Sequence, residues 1–193
     1  MPSYTVAEAR DVGAMAGRYQ LGGAREVLRR SASSTLGLFD IFLSHSFHDA
    51  ELILGVRDIL QRTGKRVYVD WIDDPLMDRS HVTKATAERL RARMDQCSAM
   101  VYAATRAAST SKWMPWELGY FDGQKGREAI AIMPLLEVSG QSVGQEYIGV
   151  YPTIERSSTG APELTQRENG RILSKSLDDM VRARGGFAWK NTF

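Results

Sequence analysis

Short apolar runs alternate with amphipathic stretches from residue 39 onward. The runs at 39–44 and 99–104 are too short for helices and are typical of buried strands. Between them, residues 50–63 carry apolar side chains at helical spacing and are followed by Gly64, a common helix terminator. This alternation predicts an α/β fold with a parallel sheet, right-handed crossovers and helices on both faces.

The remaining elements continue the same alternation. Further strands are expected at 65–71, 129–136 and 147–151, and further helices at 82–97, 114–124 and 170–184. Pro115 suits the first turn of the helix at 114–124. The polar loop at 72–81 is long for a strand–helix connection, which indicates a lid or an assembly contact.

Residues 1–36 are predicted to form a helical extension that precedes a domain at 37–193. The pattern Thr5-Val6-Ala7-Glu8 is a capping box that opens a helix, and Gly22-Gly23 should end it. A second helix is expected at 24–30, followed by a linker at 31–35. The extension carries no recognisable chemistry, and we interpret it as a lid, a packing arm or an assembly contact.

Composition narrows the function classes. With 25 Lys+Arg against 23 Asp+Glu, the net charge of +2 gives no reason to expect a nucleic-acid partner. Arg89, Arg91 and Arg93 should spread around a helix as a solvated face. Cys97 is the sole cysteine, so an intramolecular disulfide is excluded. The sequence lacks a signal-peptide pattern and an apolar run of membrane length, which predicts a cytoplasmic protein without a membrane partner.

Three segments should meet at the carboxyl ends of the strands, where open α/β sheets bind ligands. In the first segment, Ser44 and Ser46 can donate hydrogen bonds to a phosphate or a ribose. His45 and His48 lack the further ligands of a zinc site, so we interpret His45 as a hydrogen-bonding residue of the pocket wall and expect no metal. Asp49 suits the N-cap of the next helix.

The other two segments carry aromatic and acidic residues. Trp71, at a strand end, could form the wall of a site for an aromatic ring or fill the edge of the core, while Asp73 and Asp74 suit a turn. Trp113 and Glu117 are four residues apart and share a helix face. An aromatic plate beside a carboxylate suits a cationic or oxocarbenium-like substrate centre, although a carboxylate in a first helical turn is also favoured by the helix dipole.

Two ordered motifs resemble the TIR (Toll/interleukin-1 receptor) domain family. The first is Phe39-Asp40-Ile41-Phe42-Leu43-Ser44-His45-Ser46 with the later Val67-Tyr68-Val69-Asp70, and the second is Ser111-Lys112-Trp113-Met114-Pro115-Trp116-Glu117. The resemblance covers residues 39–155. It implies a flavodoxin-like three-layer sandwich with a central five-stranded parallel sheet, in which residues 72–81 form the so-called BB loop and mediate self-assembly.

The resemblance also implies an activity. Many members of this family cleave NAD⁺ or convert it to cyclic ADP-ribose isomers, and their catalytic glutamate matches Glu117. We therefore expect an NAD⁺ glycohydrolase or ADP-ribosyl cyclase with NAD⁺ as substrate and no cofactor. Its product would act as a signal to a downstream effector, as in stand-alone TIR proteins of anti-phage systems such as Thoeris. The expected substrate-binding residues are Ser44, His45, Ser46, Asp70, Trp71, Ser111 and Trp113.

The sequence leaves alternatives open. Nicotinamide leaves NAD⁺ as a neutral molecule, so one carboxylate that stabilises the ribosyl cation suffices. Water or an internal adenine atom could then capture that cation.

The main alternative is a non-enzymatic interaction module that acts by self- or hetero-association, although the loop lacks the usual glycine after Pro75. A nucleoside-transferring enzyme is a further alternative. A phosphoacceptor receiver is rejected because Ser44 and Thr105 stand where acidic residues are required.

Overall fold

A computed structural model describes residues 3–21, 39–74, 77, 83–137, 146–182 and 190–192. Its strands are β1 (Tyr4–Thr5), β2 (Phe39–Ser44), β3 (Val67–Tyr68), β4 (Cys97–Ala104), β5 (Ile130–Leu136), β6 (Thr153–Arg156), β7 (Pro162–Glu168), β8 (Arg171–Ser176) and β9 (Lys190–Thr192). Its helices are α1 (Val6–Leu21), α2 (Ala50–Gln61), α3 (Asp70–Asp73), α4 (Lys84–Gln96), α5 (Trp113–Lys125) and α6 (Leu177–Arg182), with 3₁₀ turns at Phe47–Asp49, Ala107–Thr110, Arg127–Ala129 and Glu146–Val150.

The central part of the sheet is parallel, in the order β3-β2-β4-β5-β6. This is the flavodoxin-like order, in which the first strand of the series lies between the second and the third. Ile41 of β2 lies opposite Val67 on one side and Ala99 on the other. The predicted flavodoxin-like fold with helices flanking a parallel sheet is therefore confirmed.

Alternate strand positions supply two apolar layers, one on each face of the sheet. Ile41 and Leu43 belong to the cluster formed with α1 and α2, whereas Phe42 belongs to the cluster formed with α4 and α5. Leu52 and Val56 of α2 fall at helical spacing, and both are buried. Because helices cover both faces of the sheet, the strands are continuous apolar runs in the sequence.

The amino-terminal segment joins the same sheet and the same helical layer. β1 pairs in parallel with the carboxyl end of β5, and α1 packs on α2. The predicted capping box is present: the Thr5 amide donates to Glu8 Oε2 at 3.0 Å, and the Glu8 amide donates to Thr5 Oγ1 at 3.2 Å. Arg156 of β6 donates two hydrogen bonds to Glu8 and lies over the Tyr4 ring. The predicted second helix at 24–30 and the linker at 31–35 lie outside the described residues.

The carboxyl-terminal part differs from the prediction. The strand expected at 147–151 is wrong, because Glu146–Val150 is a 3₁₀ turn and the fifth parallel strand is β6. The helix expected at 170–184 is wrong over its first part, since Arg171–Ser176 is β8 and the described helix covers Leu177–Arg182. β7 and β8 form an antiparallel hairpin that turns at Asn169 and Gly170, with φ of 50° and 75°. Asn-Gly in this left-handed conformation is the usual two-residue hairpin turn.

The second strand is shorter than predicted. The chain leaves the sheet after Tyr68 and forms the one-turn helix α3, whose Asp73 Oδ2 accepts a hydrogen bond from the Val69 amide at 2.7 Å. The two long helices on the other face, α4 and α5, begin and end within two residues of the predicted bounds. In the described part of the chain, none of the helices combines the length and the apolar character needed to cross a bilayer.

Candidate functional site

A buried serine–glutamate pair lies where β2 ends against α5. Ser44 Oγ donates a hydrogen bond of 2.6 Å to Glu117 Oε2, and both residues have 0% of their surface exposed. Ser44 is the last residue of β2, so its side chain points to the face that α5 covers, as Phe42 does two positions earlier. A hydroxyl that donates to a carboxylate makes a short, charge-assisted hydrogen bond. Ser44 thus fixes one carboxylate oxygen of Glu117.

The helix that carries Glu117 starts earlier than predicted. α5 begins at Trp113, and its first turn holds no acidic residue. Glu117 lies one turn further into the helix, where the macrodipole contributes little, because that effect fades beyond the first turn. The expectation that Glu117 lies in the first turn is therefore wrong, and the dipole does not explain a carboxylate at this buried position.

A second buried pair joins the ends of β2 and β3. His45 Nδ1 lies 2.8 Å from the Leu43 carbonyl oxygen, which can only accept, so Nδ1 carries the proton. His45 Nε2 lies 3.3 Å from Asp70 Oδ1. Asp70 Oδ1 also accepts from the Trp71 amide at 2.7 Å. Because His45 is 1% exposed and Asp70 3% exposed, this pair braces the edge of the site.

Hydrogen bonds also fix the loop after β2 against the loop after β4. Ser46 Oγ accepts from the His48 amide at 3.4 Å. Thr105 Oγ1 donates to Asp49 Oδ2 at 2.6 Å and accepts from the Ala108 amide at 3.0 Å. Asp49 stands at the N-cap of α2, but its side chain makes no capping hydrogen bond, so the predicted capping role is wrong. Its carboxylate links two strand ends instead.

Three predicted substrate-binding residues lie in packing or capping positions. Trp113 is 7% exposed in the cluster beneath α5, with its ring edge-on to Trp116 at a centroid distance of 5.5 Å. Ser111 Oγ accepts a hydrogen bond from the Met114 amide at 3.3 Å, at the start of α5. Trp71 is partly buried against the cluster on the opposite face of the sheet. Their predicted contacts with substrate stay predictions.

Sequence reasoning missed an arginine–aspartate clamp between Arg93 of α4 and Asp74, the residue that follows α3. Arg93 Nε donates to Asp74 Oδ2 at 2.7 Å, and Arg93 Nη2 donates to Asp74 Oδ1 at 2.8 Å. Tyr68 Oη donates to Asp74 Oδ2 at 2.8 Å. Burial acts to raise the pKa of Asp74, but these hydrogen bonds and the arginine charges outweigh it and hold that pKa below its ordinary value.

The clamp corrects the expectation of a solvated arginine face for Arg93, which is 7% exposed. Arg89 and Arg91 are exposed, as expected, although Arg89 lies 3.3 Å from Asp74 Oδ1 and Arg91 lies over the rings of Trp116 and Tyr120. The sequence contained a pattern that indicates the burial of Arg93. Arg93 follows Leu90 by three residues and precedes Met94 by one, and both neighbours are buried, so helical spacing places Arg93 on the buried face.

Among the residues that the structure describes, no group of three or more histidine, cysteine, aspartate or glutamate side chains is placed to hold a metal ion. Cys97 is buried, and burial raises the pKa of its thiol, so the thiolate is disfavoured. The side-chain pairs described at this edge of the sheet consist of carboxylate, hydroxyl and imidazole groups.

Fold and site together define a flavodoxin-like α/β domain with a buried glutamate at the carboxyl edge of its sheet. Comparison with known sequences finds two similar proteins. The chain is 48% identical over 123 residues to a protein of Bacillus cereus (strain MSX-D12) named "Probable 3′ cyclic ADP-D-ribose synthase ThsB′", covering 63% of this chain and 63% of that protein. It is 27% identical over 99 residues to "Putative cyclic ADP-D-ribose synthase TIR2" of Cytobacillus dafuensis, covering 49% of this chain and 26% of that protein.

These matches confirm the resemblance to bacterial TIR proteins that the two motifs indicated. No protein-family profile matches the chain. The matched region spans less than two thirds of either relative, at 63% and 26% of their lengths. The activities in their names belong to those proteins.

Proposed function

We propose that this chain breaks the nicotinamide–ribose bond of NAD⁺ and closes the ADP-ribosyl group into a cyclic isomer, with Glu117 as the catalytic carboxylate. The observation that carries the proposal is the Ser44–Glu117 hydrogen bond of 2.6 Å, buried at the sheet edge where such folds bind ligands. The similarity to two proteins named as cyclic ADP-ribose synthases supports the same reaction.

The reaction requires little from the protein. When the bond between ribose C1′ and the nicotinamide nitrogen breaks, its electron pair stays with the nitrogen, and nicotinamide leaves as a neutral molecule. No general acid is needed for this departure. Positive charge develops on the ribose, as in glycoside hydrolysis, and a fixed carboxylate stabilises it electrostatically. Ser44 holds that carboxylate in one orientation, which limits the reorganisation of the carboxylate as the charge forms.

The fate of the ribosyl cation determines the product. Capture of C1′ by a nucleophile of the same molecule forms a ring and releases one proton, whereas capture by water gives ADP-ribose and one proton. The names of both relatives favour capture within the molecule. We further propose that the cyclic product is a cytoplasmic signal in anti-phage defence, detected by a separate effector.

Burial of Glu117 has two consequences for this chemistry. With 0% of its surface exposed, the carboxylate acts in a low-dielectric environment, where its attraction to a developing cation is stronger than in water. Substrate can reach it only if the segments that cover it separate on binding. Catalytic contacts in a ligand-free structure commonly tighten or rearrange in the substrate complex.

The test is product analysis by mass spectrometry after the purified chain is incubated with NAD⁺. Glu117→Gln keeps the size of the side chain and its ability to accept from Ser44 but removes the charge. We expect it to lower NAD⁺ consumption by ~10²-fold or more, because stabilisation of the transition-state charge is lost. Glu88→Gln is the matched control, since Glu88 is 59% exposed on α4 beside Lys84, and it should retain full activity.

Two results would contradict the proposal in different ways. A folded Glu117→Gln protein with wild-type turnover would remove Glu117 from the reaction. Folded, self-associated wild-type protein that leaves NAD⁺ intact would favour the non-enzymatic interaction module instead.

A further inference from the structure

Phe47 is an exposed aromatic residue at the edge of the sheet that holds the candidate site. Among the described residues, three large hydrophobic side chains are exposed: Met15 at 64%, Phe47 at 67% and Val150 at 57%. Met15 lies on α1, and Val150 lies just before the amino end of β6. Of the three, only Phe47 follows the carboxyl end of a parallel strand, where this fold binds ligands.

The backbone around Phe47 is fixed before any ligand binds. Phe47 opens the 3₁₀ turn Phe47–Asp49, and the Asp49 amide donates to the Ser46 carbonyl oxygen at 3.1 Å. Thr105 holds the Asp49 carboxylate at the far end of the turn. The exposed Phe47 ring does not contribute to the stability of the free protein. Because the turn that carries it is already fixed, the ring loses little conformational entropy when it contacts a ligand.

Phe47 lies a short stretch of chain away from the residue that contacts Glu117. It follows Ser44 by three residues, so their Cα atoms are at most about 11 Å apart even in a fully extended chain. Ser44 contacts Glu117 directly. We propose that Phe47 stacks on the nicotinamide ring of NAD⁺ and selects the oxidised form of the dinucleotide. This inference rests on the proposed function.

Charge distinguishes the nicotinamide ring from the adenine ring at this position. The nicotinamide ring of NAD⁺ is a cation, and the face of a phenyl ring carries the negative part of its quadrupole. NADH has a neutral ring of nearly the same size, so a cation–π contact favours NAD⁺. The contact weakens when nicotinamide leaves as a neutral molecule, so it strengthens substrate binding without holding the product. Because it stabilises bound NAD⁺ at least as much as the transition state, such a contact lowers KM and does not raise kcat.

Kinetics provide the first test. Phe47→Ala should raise KM for NAD⁺ about 3- to 30-fold, the range expected for loss of a cation–π contact, with kcat within about 3-fold of wild type. Phe47→Tyr and Phe47→Trp keep an aromatic face and should stay close to wild type. Met15→Ala and Val150→Ala remove exposed apolar side chains elsewhere and should leave KM unchanged. An unaltered KM in Phe47→Ala would overturn the proposal.

Binding provides a second test that needs no turnover. In the Glu117→Gln background, calorimetry with NAD⁺, NADH and ADP-ribose separates the ring contact from the catalytic charge. Adding Phe47→Ala should raise the Kd for NAD⁺ about 3- to 30-fold. The Kd values for NADH and ADP-ribose should stay within about 2-fold of those of the Glu117→Gln protein. Equal weakening of all three ligands would place the adenine ring, not nicotinamide, on Phe47 and would overturn the proposal.

The remaining outcomes are also decisive. If Phe47→Ala lowers activity only by reducing the oligomer mass in light scattering, Phe47 contacts a second copy of the chain and the proposal is wrong. If the binding preference depends on Phe47 but wild-type protein leaves NAD⁺ intact, the ring contact stands and the proposed catalysis fails. If Glu117→Gln abolishes turnover while Phe47→Ala changes nothing, the proposed function stands without this contact.

Discussion

At the scale of residues, side-chain pairs tie the strand ends of this protein together. Ser44–Glu117, His45–Asp70 and Thr105–Asp49 each join two different elements at the carboxyl edge of the sheet. All three pairs place a carboxylate against a donor or an imidazole. Buried carboxylates are stable only when they are hydrogen-bonded or paired, so each pair is both a structural tie and a reason for the site to keep its shape.

The Asp74–Arg93 clamp is the residue pair with the clearest consequence for stability. Arg93 binds both carboxylate oxygens of Asp74, and the two side chains are 8% and 9% exposed. Asp74→Ala leaves a buried arginine without its partner, which costs ~3–5 kcal/mol in unfolding free energy. Glu88→Gln, which disrupts an exposed pair on the same helix, should cost under ~1 kcal/mol by urea denaturation.

The pH dependence of the clamp has a definite sign. Because the pKa of Asp74 is lowered in the folded protein, its stabilisation is fully present above the unfolded value of about 3.9 and is lost as pH falls through the folded pKa. The stability difference between wild type and Asp74→Asn should therefore shrink as the pH falls below about 4. A difference that stays constant from pH 7 to pH 3 would show that the ionised carboxylate is not what stabilises the fold.

At the scale of elements, α1 and α2 pack closely enough that their backbones touch. A Cβ atom added at Gly55 would lie 1.7 Å from the Ala9 carbonyl oxygen, and one added at Gly13 would lie 2.2 Å from the Glu51 carbonyl oxygen. Backbone cannot give way as the end of a flexible side chain can. The two glycines are therefore required by the helix crossing, which also fixes β1 beside β5.

This crossing predicts opposite effects for two glycine-to-alanine changes. Gly55→Ala should destabilise the protein by ~1–3 kcal/mol or more, because the helices must move apart. Gly119→Ala, on α5 with no atom within 4 Å of the added Cβ, should stabilise it by ~0.5–1 kcal/mol through helix propensity. Thermal unfolding of both variants measures the contrast. A Gly55→Ala protein as stable as wild type would show that α1 does not pack as described.

At the scale of the whole molecule, we expect activity to depend on self-association. A signalling enzyme that consumes NAD⁺ must be inactive at rest, and assembly by mass action offers such a switch. Specific activity should rise with protein concentration or crowding, and a charge at Leu76 in the predicted 72–81 loop should reduce that rise. Flat specific activity from nanomolar to high micromolar protein, with a monomeric mass throughout, would refute this expectation.

The Asp74–Arg93 clamp changes how assembly can be probed. Asp74 lies at the start of the 72–81 loop, but its carboxylate is committed to Arg93 and Tyr68 within the same chain. A substitution at Asp74 would alter the stability of the monomer and confuse the measurement. Leu76 is the better position for the assembly test, and circular dichroism checks that each variant keeps its fold.

The sequence by itself determined the features that local patterns and motifs encode. Short apolar runs between amphipathic stretches predicted the parallel sheet and its flanking helices. Because ligands bind at the carboxyl ends of the strands in open α/β sheets, the sequence also predicted that the segments containing Ser44 and Glu117 meet at one edge. The motif at 111–117 singled out Glu117 before any contact was visible. Periodicity and strand order are repeated over many residues, so small errors in element bounds do not change them.

Only the tertiary structure decided the features that depend on long-range placement. The pairing of Arg93 with Asp74, the link from Thr105 to Asp49 and the insertion of β1 beside β5 each join segments with no shared local pattern. The β7–β8 hairpin was missed because residues 170–184 suit a helix locally, whereas pairing with β6 satisfies the backbone of β7 as a strand. Contacts of this kind follow from how whole elements pack, and the packing of α1 on α2 and of α5 on the sheet determines which side chains meet.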